Sequence, residues 1–515
     1  MAKYITIPGF KGGQALDAYD DIRKQTFQDT RNLDVFVNSN QLAPHKLKLQ
    51  AMAIPALAGQ TDVKPQNSYL ASDNKYYFFG DATIAAAHNY VLWYTSTLDS
   101  APTYTTAYAT GGTAGATGYV LEEYKDGLFF SWGTNLDRWG NLSGAAARTN
   151  IGTVTTGVTH MRNHRGLGVL FFAHNSGHTV GKYNNTTFTA TALTFDADDT
   201  VVGMEEFGRF LVIGLRGAGS KKSRFVLWDG SATTVEDIYN LNETGLSGFK
   251  IVNGVITYIS LTYNGQNDFL RVGTLTPGGK PEIVREQQIT LTSGANNVTA
   301  NGTATFGDVM LYGLSGYAYS DLSLGIFGYG SPGSGISKYH ALYRLVSSNA
   351  VTAVGITSIK HNGTSLVVTW EESGSGPYHI DTITGNGLTL ARPSSGVYES
   401  NIFPLNGGLK GRIKKITLTH PAIPSSCGFT VYVKHLSTYP FGSTVPSPES
   451  YQTLFGPQGN TSTSGMTQST NNATFTEIAS DKFIDATHAQ IKIAFDEVST
   501  TTSASIIFPI LVEVQ

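Results

Sequence analysis

A tight turn followed by a short run of β-branched and aromatic residues recurs along the middle of this chain. This repeat limits the possible folds more than any other feature of the sequence. Its seven instances are DNKYYFFG around Lys75, KDGLFFSWG around Gly127, HRGLGVLFFA around Gly166, EFGRFLVIGL around Gly208, VNGVITYISL around Gly254, TFGDVMLYGL around Gly307 and HNGTSLVVTW around Gly363. Successive turns lie about 39 to 56 residues apart, a range centred near the length of one four-stranded propeller blade. The apolar runs are short enough to predict buried strands rather than helices.

A second, more polar hairpin follows most of these turns. Its instances are DRWGNLSG, VGKYNNTTFTA, FVLWDGSATTV, RVGTLTPGGKPEIV, LYRLVSSNAVTAV and HIDTITGNGLTLA. Two hairpins in each period supply four strands, the inner pair apolar and the outer pair polar, as expected of a radial array. The sequence therefore predicts an all-β fold whose main body is a β-propeller of about seven blades. Six or eight blades, or a series of irregular β-sandwiches, are the alternatives.

Length and composition limit the class of protein. A chain of 515 residues exceeds what one hydrophobic core usually supports, so several domains or a repeat array are expected. The formal net charge is -3, and lysine and arginine are dispersed along the sequence. Recognition of nucleic acid requires a clustered basic face, so we expect no sequence-specific nucleic-acid partner. No apolar run approaches the roughly 20 residues that cross a bilayer, so we expect no membrane insertion.

The pattern changes near residue 405, and a second domain is predicted from there to the end of the chain. The strands KKITLTH, GFTVYVKH, AQIKIAFDEV and SIIFPILVEV alternate apolar and polar residues, as in a compact β-sandwich. Ile416 and Leu418 are expected to share a core with Phe429, Val431 and Val433. The predicted organisation is an N-terminal arm with the first strand over residues 1–54, a propeller over 55–404 and a sandwich over 405–515.

The N-terminal arm has the densest charge of the chain and a short helical pattern in YDDIRKQTFQDTRNLDVF. The apolar residues of the arm are Leu16, Tyr19, Ile22 and Phe27. A short helix there would bury the first three on one side, and this apolar stripe needs a partner. We expect these four residues to form an assembly interface with a neighbouring subunit or another protein. Packing of the arm against its own propeller is the alternative.

A search for catalytic or ligand-binding patterns gives few candidates. The chain has no phosphate-binding loop, no HExxH, no GxSxG elbow and no dinucleotide-binding fingerprint. Adjacent carboxylates such as Glu205 with Glu206 point to opposite faces of a strand. We therefore expect no catalytic residues, no cofactor and no metal, and we interpret the acidic triplet in FDADDT and the histidines of the third period as structural. Trp139, in the RWGN turn, is the best candidate for a ligand-binding surface residue. The one cysteine, Cys427, allows no intrachain disulfide.

Two segments carry a resemblance to a known group of proteins. GRIKKITLTHPAIPSSCGFTVYVKHL resembles the start of the small β-sandwich that follows a propeller in structural proteins of tailed bacteriophages. RNLDVFVNSNQLAPHKLKLQAMAIP is similar to the start of the same proteins, although Asn38, Ser39 and Asn40 stand where a Ser-Pro pair is usual. The two segments occur in the right order around the predicted propeller.

The resemblance implies a virion component near the phage tail, similar to nozzle or hub propellers. It implies other tail or connector proteins as partners, a homo-oligomeric state, and assembly into virions in the host cytoplasm. Two other functions stay open: a propeller at the tail tip that binds a receptor or host-surface glycan, and a polysaccharide-cleaving tailspike. The expected function is structural rather than enzymatic.

Overall fold

The computed structural model divides the chain into two compact units. Unit 1 comprises Met1–Lys48, Phe327–Arg344 and Gly387–Gln515, and unit 2 comprises Leu49–Ile326 and Leu345–Asn386. The residues that the structure describes are 3–10, 13–14, 23, 26–31, 33–34, 41–44, 50–111, 119–263, 268–289, 300–313, 325–330, 338–344, 354–361, 365–372, 377–384, 395–423, 427–436, 452–453, 466–467, 475–479, 486–497 and 505–515.

Unit 2 is built from blades, each an antiparallel sheet whose strands follow one another in sequence. The first two blades are Gln60–Leu70, Tyr76–Ile84, Ala87–Thr95 and Thr105–Gly111, then Leu121–Glu123, Gly127–Trp132, Asn135–Gly140 and Ala147–Thr153. Blade 3 is His160–His164, Val169–His174, Thr179–Tyr183 and Phe188–Thr194, and blade 4 is Asp199–Phe207, Phe210–Gly217, Arg224–Trp228 and Asp237–Asn240. Blade 5 is Gly245–Val252, Val255–Tyr263, Asp268–Leu275 and Glu282–Ile289.

Blades 6 and 7 complete the series. Blade 6 contributes the hairpin Thr303–Phe306 and Val309–Gly313 to unit 2, and the strands Gly325–Gly330 and Lys338–Arg344 follow it in sequence. Blade 7 is Val354–His361, Ser365–Glu372 and Tyr378–Thr384, with Gln50–Met52 as its fourth strand. The first strand of each blade lies next to the first strand of the following blade, and that of blade 7 lies next to that of blade 1. The seven first strands therefore form a closed ring, and the prediction of an all-β propeller with about seven blades is confirmed.

A short pairing joins the two ends of the ring. Met52, Ala51 and Gln50 pair antiparallel with Ile380, Asp381 and Thr382. Met52 is 4% exposed and packs in one apolar cluster with Val367 and Ile380 of blade 7 and Phe78 of blade 1. The fourth strand of blade 7 thus comes from before the propeller rather than from the predicted second hairpin HIDTITGNGLTLA.

The turns between the first and second strands follow the sequence prediction at most blades, with shifts of one or two residues. Gly208, Gly254 and Gly307 have φ values of 58°, 75° and 52°, a region that glycine adopts without a steric penalty. At blades 2 and 3 the positive φ lies at Asp126 and Gly168 instead of the predicted Gly127 and Gly166. Gly363, predicted for blade 7, lies outside the described residues.

Apolar side chains on the faces of the blades fill the space between neighbouring blades. Phe171 of blade 3 contacts Trp228 of blade 4 with 5.3 Å between ring centroids. Phe225 of blade 4 contacts Phe249 of blade 5 at 4.9 Å. All four side chains are at most 2% exposed. The short apolar runs are therefore buried on both faces, as the lack of alternation in them predicts.

Unit 1 contains two sheets that form the predicted β-sandwich. One sheet contains Leu33–Asp34, Gln41–Pro44, Ile506–Val514, Ile413–Thr419, Phe475–Ala479 and Lys3–Ile7. The other contains Gly13–Gln14, Thr26–Arg31, Ser395–Ser400, Phe403–Pro404, His488–Glu497, Cys427–Leu436, Gln452–Thr453 and Met466–Thr467. Tyr398 of the second sheet packs on Phe508 of the first, with 5.5 Å between ring centroids. The expected core residues Ile416, Leu418, Phe429, Val431 and Val433 are all buried.

The N-terminal helix expected from the sequence is not seen. Leu16, Tyr19 and Ile22 lie outside the described residues. Phe27 lies in the strand Thr26–Arg31, which pairs antiparallel with Ser395–Ser400. Phe27 is fully buried and faces the Tyr398 ring at 6.3 Å. Phe27 therefore packs within its own chain and is not an exposed interface residue, because pairing with a distant strand overrides the local helical pattern.

The two units do not coincide with the predicted segments 1–54, 55–404 and 405–515. As domain boundaries, these segments stay a prediction. The described strands of residues 1–48 join the sheets of unit 1, whereas Gln50–Met52 belongs to unit 2. Ser395–Ser400 pairs with His488–Glu497 of unit 1. Within the described part of the chain, no helix is long and apolar enough to cross a membrane.

The turn at Gly254 gives a test of the blade structure. Gly254→Val places a β-branched residue at a φ of 75°, with no atom within 4 Å of the new Cβ, so backbone strain is the main effect. We expect a loss of about 1–2 kcal/mol of unfolding free energy in chemical denaturation. Gly111→Val is the matched control, since its Cβ also meets no atom within 4 Å and its φ is not in the positive region. Equal stability of the two variants would mean that the turn at Gly254 is misassigned.

Candidate binding site in the central channel of unit 2

The ring of first strands encloses a cavity of about 800 Å³ at the end where these strands turn into the second strands. Every blade contributes to its wall through the last residues of its first strand. The charged lining residues are Glu122, Glu123, Lys125, Arg162, Arg165, Glu205, Glu206, Lys250 and Lys360. The five cations exceed the four carboxylates by one, so the lining has a small positive excess when His361 is neutral.

Seven lining residues occupy corresponding positions near the ends of the first strands, and we call them the channel tier. In blade order they are Tyr69, Glu122, Arg162, Glu205, Lys250, Ala304 and Lys360. In blades 3 to 6 the tier residue is two positions before the last residue of the strand, and in blades 1, 2 and 7 it is one position before. Glu122, Arg162, Glu205 and Lys250 all act on Lys360 through their charge, so these tier side chains lie close together in the channel.

Two ion pairs hold the middle of the tier. Glu205 is 6% exposed, and its Oε2 lies 2.9 Å from Nη2 of Arg162. Its Oε1 lies 2.5 Å from Nζ of Lys250. Burial alone raises the pKa of Glu205, but the two cations outweigh this effect and hold the pKa below its usual range. Glu205 also raises the pKa of Arg162. The three side chains therefore form a network of ion pairs that joins blades 3, 4 and 5.

Lys360 differs from these cations. Among the described residues, its ammonium group makes no ion pair or hydrogen bond, although Glu122 and Glu205 act on it through their charge. Burial lowers the pKa of Lys360 to about 8, and Lys250 and Arg162 also favour its neutral form. Glu122 accepts a hydrogen bond of 3.0 Å from the backbone N–H of Asn163. The channel tier thus contains one lysine whose charge lacks a direct partner.

The adjacent carboxylates bind separate partners, as the strand geometry predicts. Glu206 accepts a 3.0 Å hydrogen bond from the Gly166 N–H, away from the partners of Glu205. Glu123 accepts a 2.9 Å hydrogen bond from the Ser72 N–H. Glu372 contacts Nε2 of His379 at 2.8 Å. Each of these three carboxylates therefore has its own hydrogen-bond or ion-pair partner.

The acidic triplet of the fourth blade is part of an ion-pair cluster. Asp199 is fully buried and lies 2.9 Å from Nη1 of Arg224 and 3.0 Å from Nζ of Lys221. Asp196 contacts the same ammonium group at 3.2 Å. Arg224 and Lys221 therefore offset the negative charge of the buried Asp199.

Three of the four histidines of the third period contact separate backbone carbonyls, and His160 contacts Oγ1 of Thr159. His164 contacts the carbonyl of Phe210 at 3.0 Å, and His174 contacts that of Ala190 at 2.7 Å. Within the described ranges, no group of three or more His, Cys, Asp or Glu residues could hold a metal ion.

The candidate ligand-surface residue Trp139 lies in the strand Asn135–Gly140 rather than in a turn. It is partly buried and packs against the apolar cluster that includes Tyr77, Leu128 and Leu142. Trp139 thus contributes to the packing between blades 1 and 2. Phe27 is not among the residues that line the cavity.

Sequence reasoning did not single out Arg162, Lys250 or Lys360 and weighed Glu122 and Glu205 only as members of adjacent pairs. A signal was present, because each of these residues lies a few positions before a predicted turn. Aligning the predicted turns places these five charged residues three to five positions before the turn glycine of their blade.

No family model and no curated protein matches the sequence. Solved structures with a similar arrangement include the Neurospora crassa Pan2 WD40 domain, with a TM-score of 0.42 and 8% sequence identity over 68% of this chain and 97% of that domain. The Myceliophteria thermophila Cps50 (Swd1) β-propeller domain gives a TM-score of 0.40 at 10% identity, over 64% of this chain and 99% of that domain. The computationally designed Ika8 protein gives 0.37 at 8% identity, over 65% and 100%. These TM-scores are too low to serve as evidence for the fold, which rests on the strand order alone.

The lowered pKa of Lys360 predicts a pH dependence of stability. The pKa of Lys360 is about 8 in the folded protein and near 10.4 in the unfolded chain. Between these two pH values the unfolded chain binds more protons than the folded protein. The destabilising effect of Lys360 therefore fades as the pH rises from about 8 to about 10.4. We expect Lys360→Met to be more stable than the wild type by about 2–3 kcal/mol at pH 7, with the difference shrinking towards pH 10.

The measurement is urea denaturation at several pH values, and Lys280→Met is the matched control because Lys280 is exposed. A constant difference across this pH range would show that Lys360 has an ordinary pKa.

Proposed function

We propose that this protein is a structural component of a tailed-bacteriophage virion, associated with the tail and acting through protein–protein assembly. One observation carries this proposal. The N-terminal and C-terminal segments that resemble phage structural proteins meet in one sheet of unit 1. Gln41–Pro44 of the first segment pairs with Ile506–Val514, which also pairs with Ile413–Thr419 of the second. Segments far apart in sequence thus form one module, as expected if the resemblance reflects a common fold.

The state of the channel carboxylates favours assembly over hydrolysis. A glycoside hydrolase needs one carboxylic acid with a raised pKa as its proton donor. Glu205 has a lowered pKa because Arg162 and Lys250 hold its charge. Such a carboxylate is suited to fixing neighbouring blades together. This supports the structural role over the polysaccharide-cleaving alternative.

The surface of unit 1 offers a candidate contact area. Leu409 and Tyr4 are 69% and 55% exposed, the highest values among the exposed large apolar side chains of the described residues. Nζ of Lys3 donates to Oδ1 of Asn406 at 3.4 Å, which brings the start of the strand Lys3–Ile7 close to the turn that precedes Leu409. Exposed large apolar side chains are typical of protein contact surfaces. We therefore propose this surface as one through which unit 1 binds a neighbouring virion protein or a second copy.

The proposal is tested by incorporation into particles. An epitope-tagged wild-type chain is expected in purified phage particles, with immunogold label at the tail. The double variant Tyr4→Ser, Leu409→Ser should melt like the wild type but be incorporated roughly tenfold less, which corresponds to a loss of about 1.4 kcal/mol of contact energy. Ile238→Ser is the matched control, since Ile238 is 49% exposed on the outer strand of blade 4 in unit 2.

The outcomes separate two claims. If the wild-type chain is missing from particles, the virion role is wrong. If both the double variant and the control are incorporated normally, the virion role stands and the contact surface is wrong.

A further inference from the structure

The channel tier has an alternating charge pattern over blades 2 to 5 and two uncharged positions, Tyr69 in blade 1 and Ala304 in blade 6. From blade 2 to blade 5 the residues are Glu122, Arg162, Glu205 and Lys250, so negative and positive charges alternate. Blade 6 contributes no charge, because the tier residue there is Ala304. Blade 7 contributes the positive charge of Lys360. The position at which alternation requires a negative group is thus occupied by an alanine that lies between two lysine-bearing blades.

The residue at this position borders the cavity and is itself 7% exposed. Ala304, Thr303 and Thr305 line the same cavity of about 800 Å³ as the two lysines. An alanine methyl group projects little into a channel, so a ligand group can occupy the volume in front of it. None of the residues of the strand Thr303–Phe306, TATF, carries a charge. Among the described residues that line the cavity, none therefore supplies a carboxylate at this point of the tier.

The charges of the tier also indicate which kind of ligand fits. Arg162 and Lys250 share Glu205, and Lys360 makes no direct ion pair within the described part of the chain. The tier contains three cations and two carboxylates, so one negative charge makes it neutral. A singly charged carboxylate meets this requirement, whereas a phosphate with two charges would leave an excess of one negative charge. A carboxylate oxygen also accepts short charge-assisted hydrogen bonds from ammonium groups.

We propose that the central channel of unit 2 binds a carboxylate group in front of Ala304, between Lys250 and Lys360. The site lies wholly within unit 2 and does not depend on the proposed virion role. The carboxylate has two possible sources, a free small carboxylic acid and an acidic side chain of a protein segment that enters the channel mouth. The chemistry at the lysines is the same in both cases.

The methyl group of Ala304 is a direct probe of the site. In protein labelled with ¹³C at alanine methyl groups, potassium acetate should shift the Ala304 resonance saturably relative to potassium chloride at equal ionic strength. Lys360→Met should remove the saturable shift, while Lys280→Met, at an exposed lysine, should leave it unchanged. The second probe is the capped peptide acetyl-Gly-Glu-Gly-amide, with its Gln counterpart as the neutral control. Tighter binding of the peptide than of acetate identifies a protein segment as the source, and the reverse identifies a small acid.

A second experiment supplies the carboxylate from the chain. Ala304→Glu should raise the melting temperature relative to Ala304→Gln, and this difference should vanish when both are combined with Lys360→Met. Its result does not depend on ligand affinity. Absence of a saturable shift with both probes, persistence of the shift in Lys360→Met, or a Glu-to-Gln difference that is independent of Lys360 would each overturn the proposal.

Discussion

The pairing of Gln50–Met52 with Tyr378–Thr384 is the constraint on which the propeller depends. A propeller has two ends that must be joined, since an open ring would expose the faces of its first and last blades to water. Here the joint uses the antiparallel pairing of three residues on each strand and the burial of Met52 against Ile380 and Phe78. The segment that closes the ring precedes blade 1 in sequence, so the ring closes only when the two ends of its sequence come together.

The charged channel is a consequence of this closure. Seven corresponding strand positions converge only when the first strands form a complete ring, and the partners of the buried Glu205 come from blades 3 and 5. Taking one partner away from such a network leaves a buried charge uncompensated, which is strongly unfavourable. Lys360 brings a further positive charge from blade 7. Its lowered pKa shows that the fold tolerates this charge at an energetic cost. Costs of this kind are concentrated at functional sites in many proteins, which is consistent with a ligand at this position.

Local patterns were sufficient to predict the blades but not the pairings between distant segments. Asn253 and Gly254 lie at positive φ between two apolar runs, and such a turn can be predicted from a few residues. The strand Thr26–Arg31 was predicted as helix because its partner Ser395–Ser400 lies more than 350 residues away, and no periodicity in TFQDTR reports that pairing. Gln50–Met52 is too short to be assigned to blade 7 by its composition. In the channel, the carboxylates were noticed as pairs, but their partners Arg162 and Lys250 become apparent only when the blades are superposed in register.

Hydrogen–deuterium exchange tests the closure of the ring most directly. If the account is right, the backbone amides of residues 50–52 that face blade 7 exchange as slowly as those of Tyr378–Thr384, because both belong to one ladder within the ring. In Met52→Asp, exchange should accelerate in both segments together, while the strand Phe210–Gly217 on blade 4 stays protected. Rapid exchange of residues 50–52 in the wild type, with Tyr378–Thr384 still fully protected, would contradict the claim that this pairing closes the propeller.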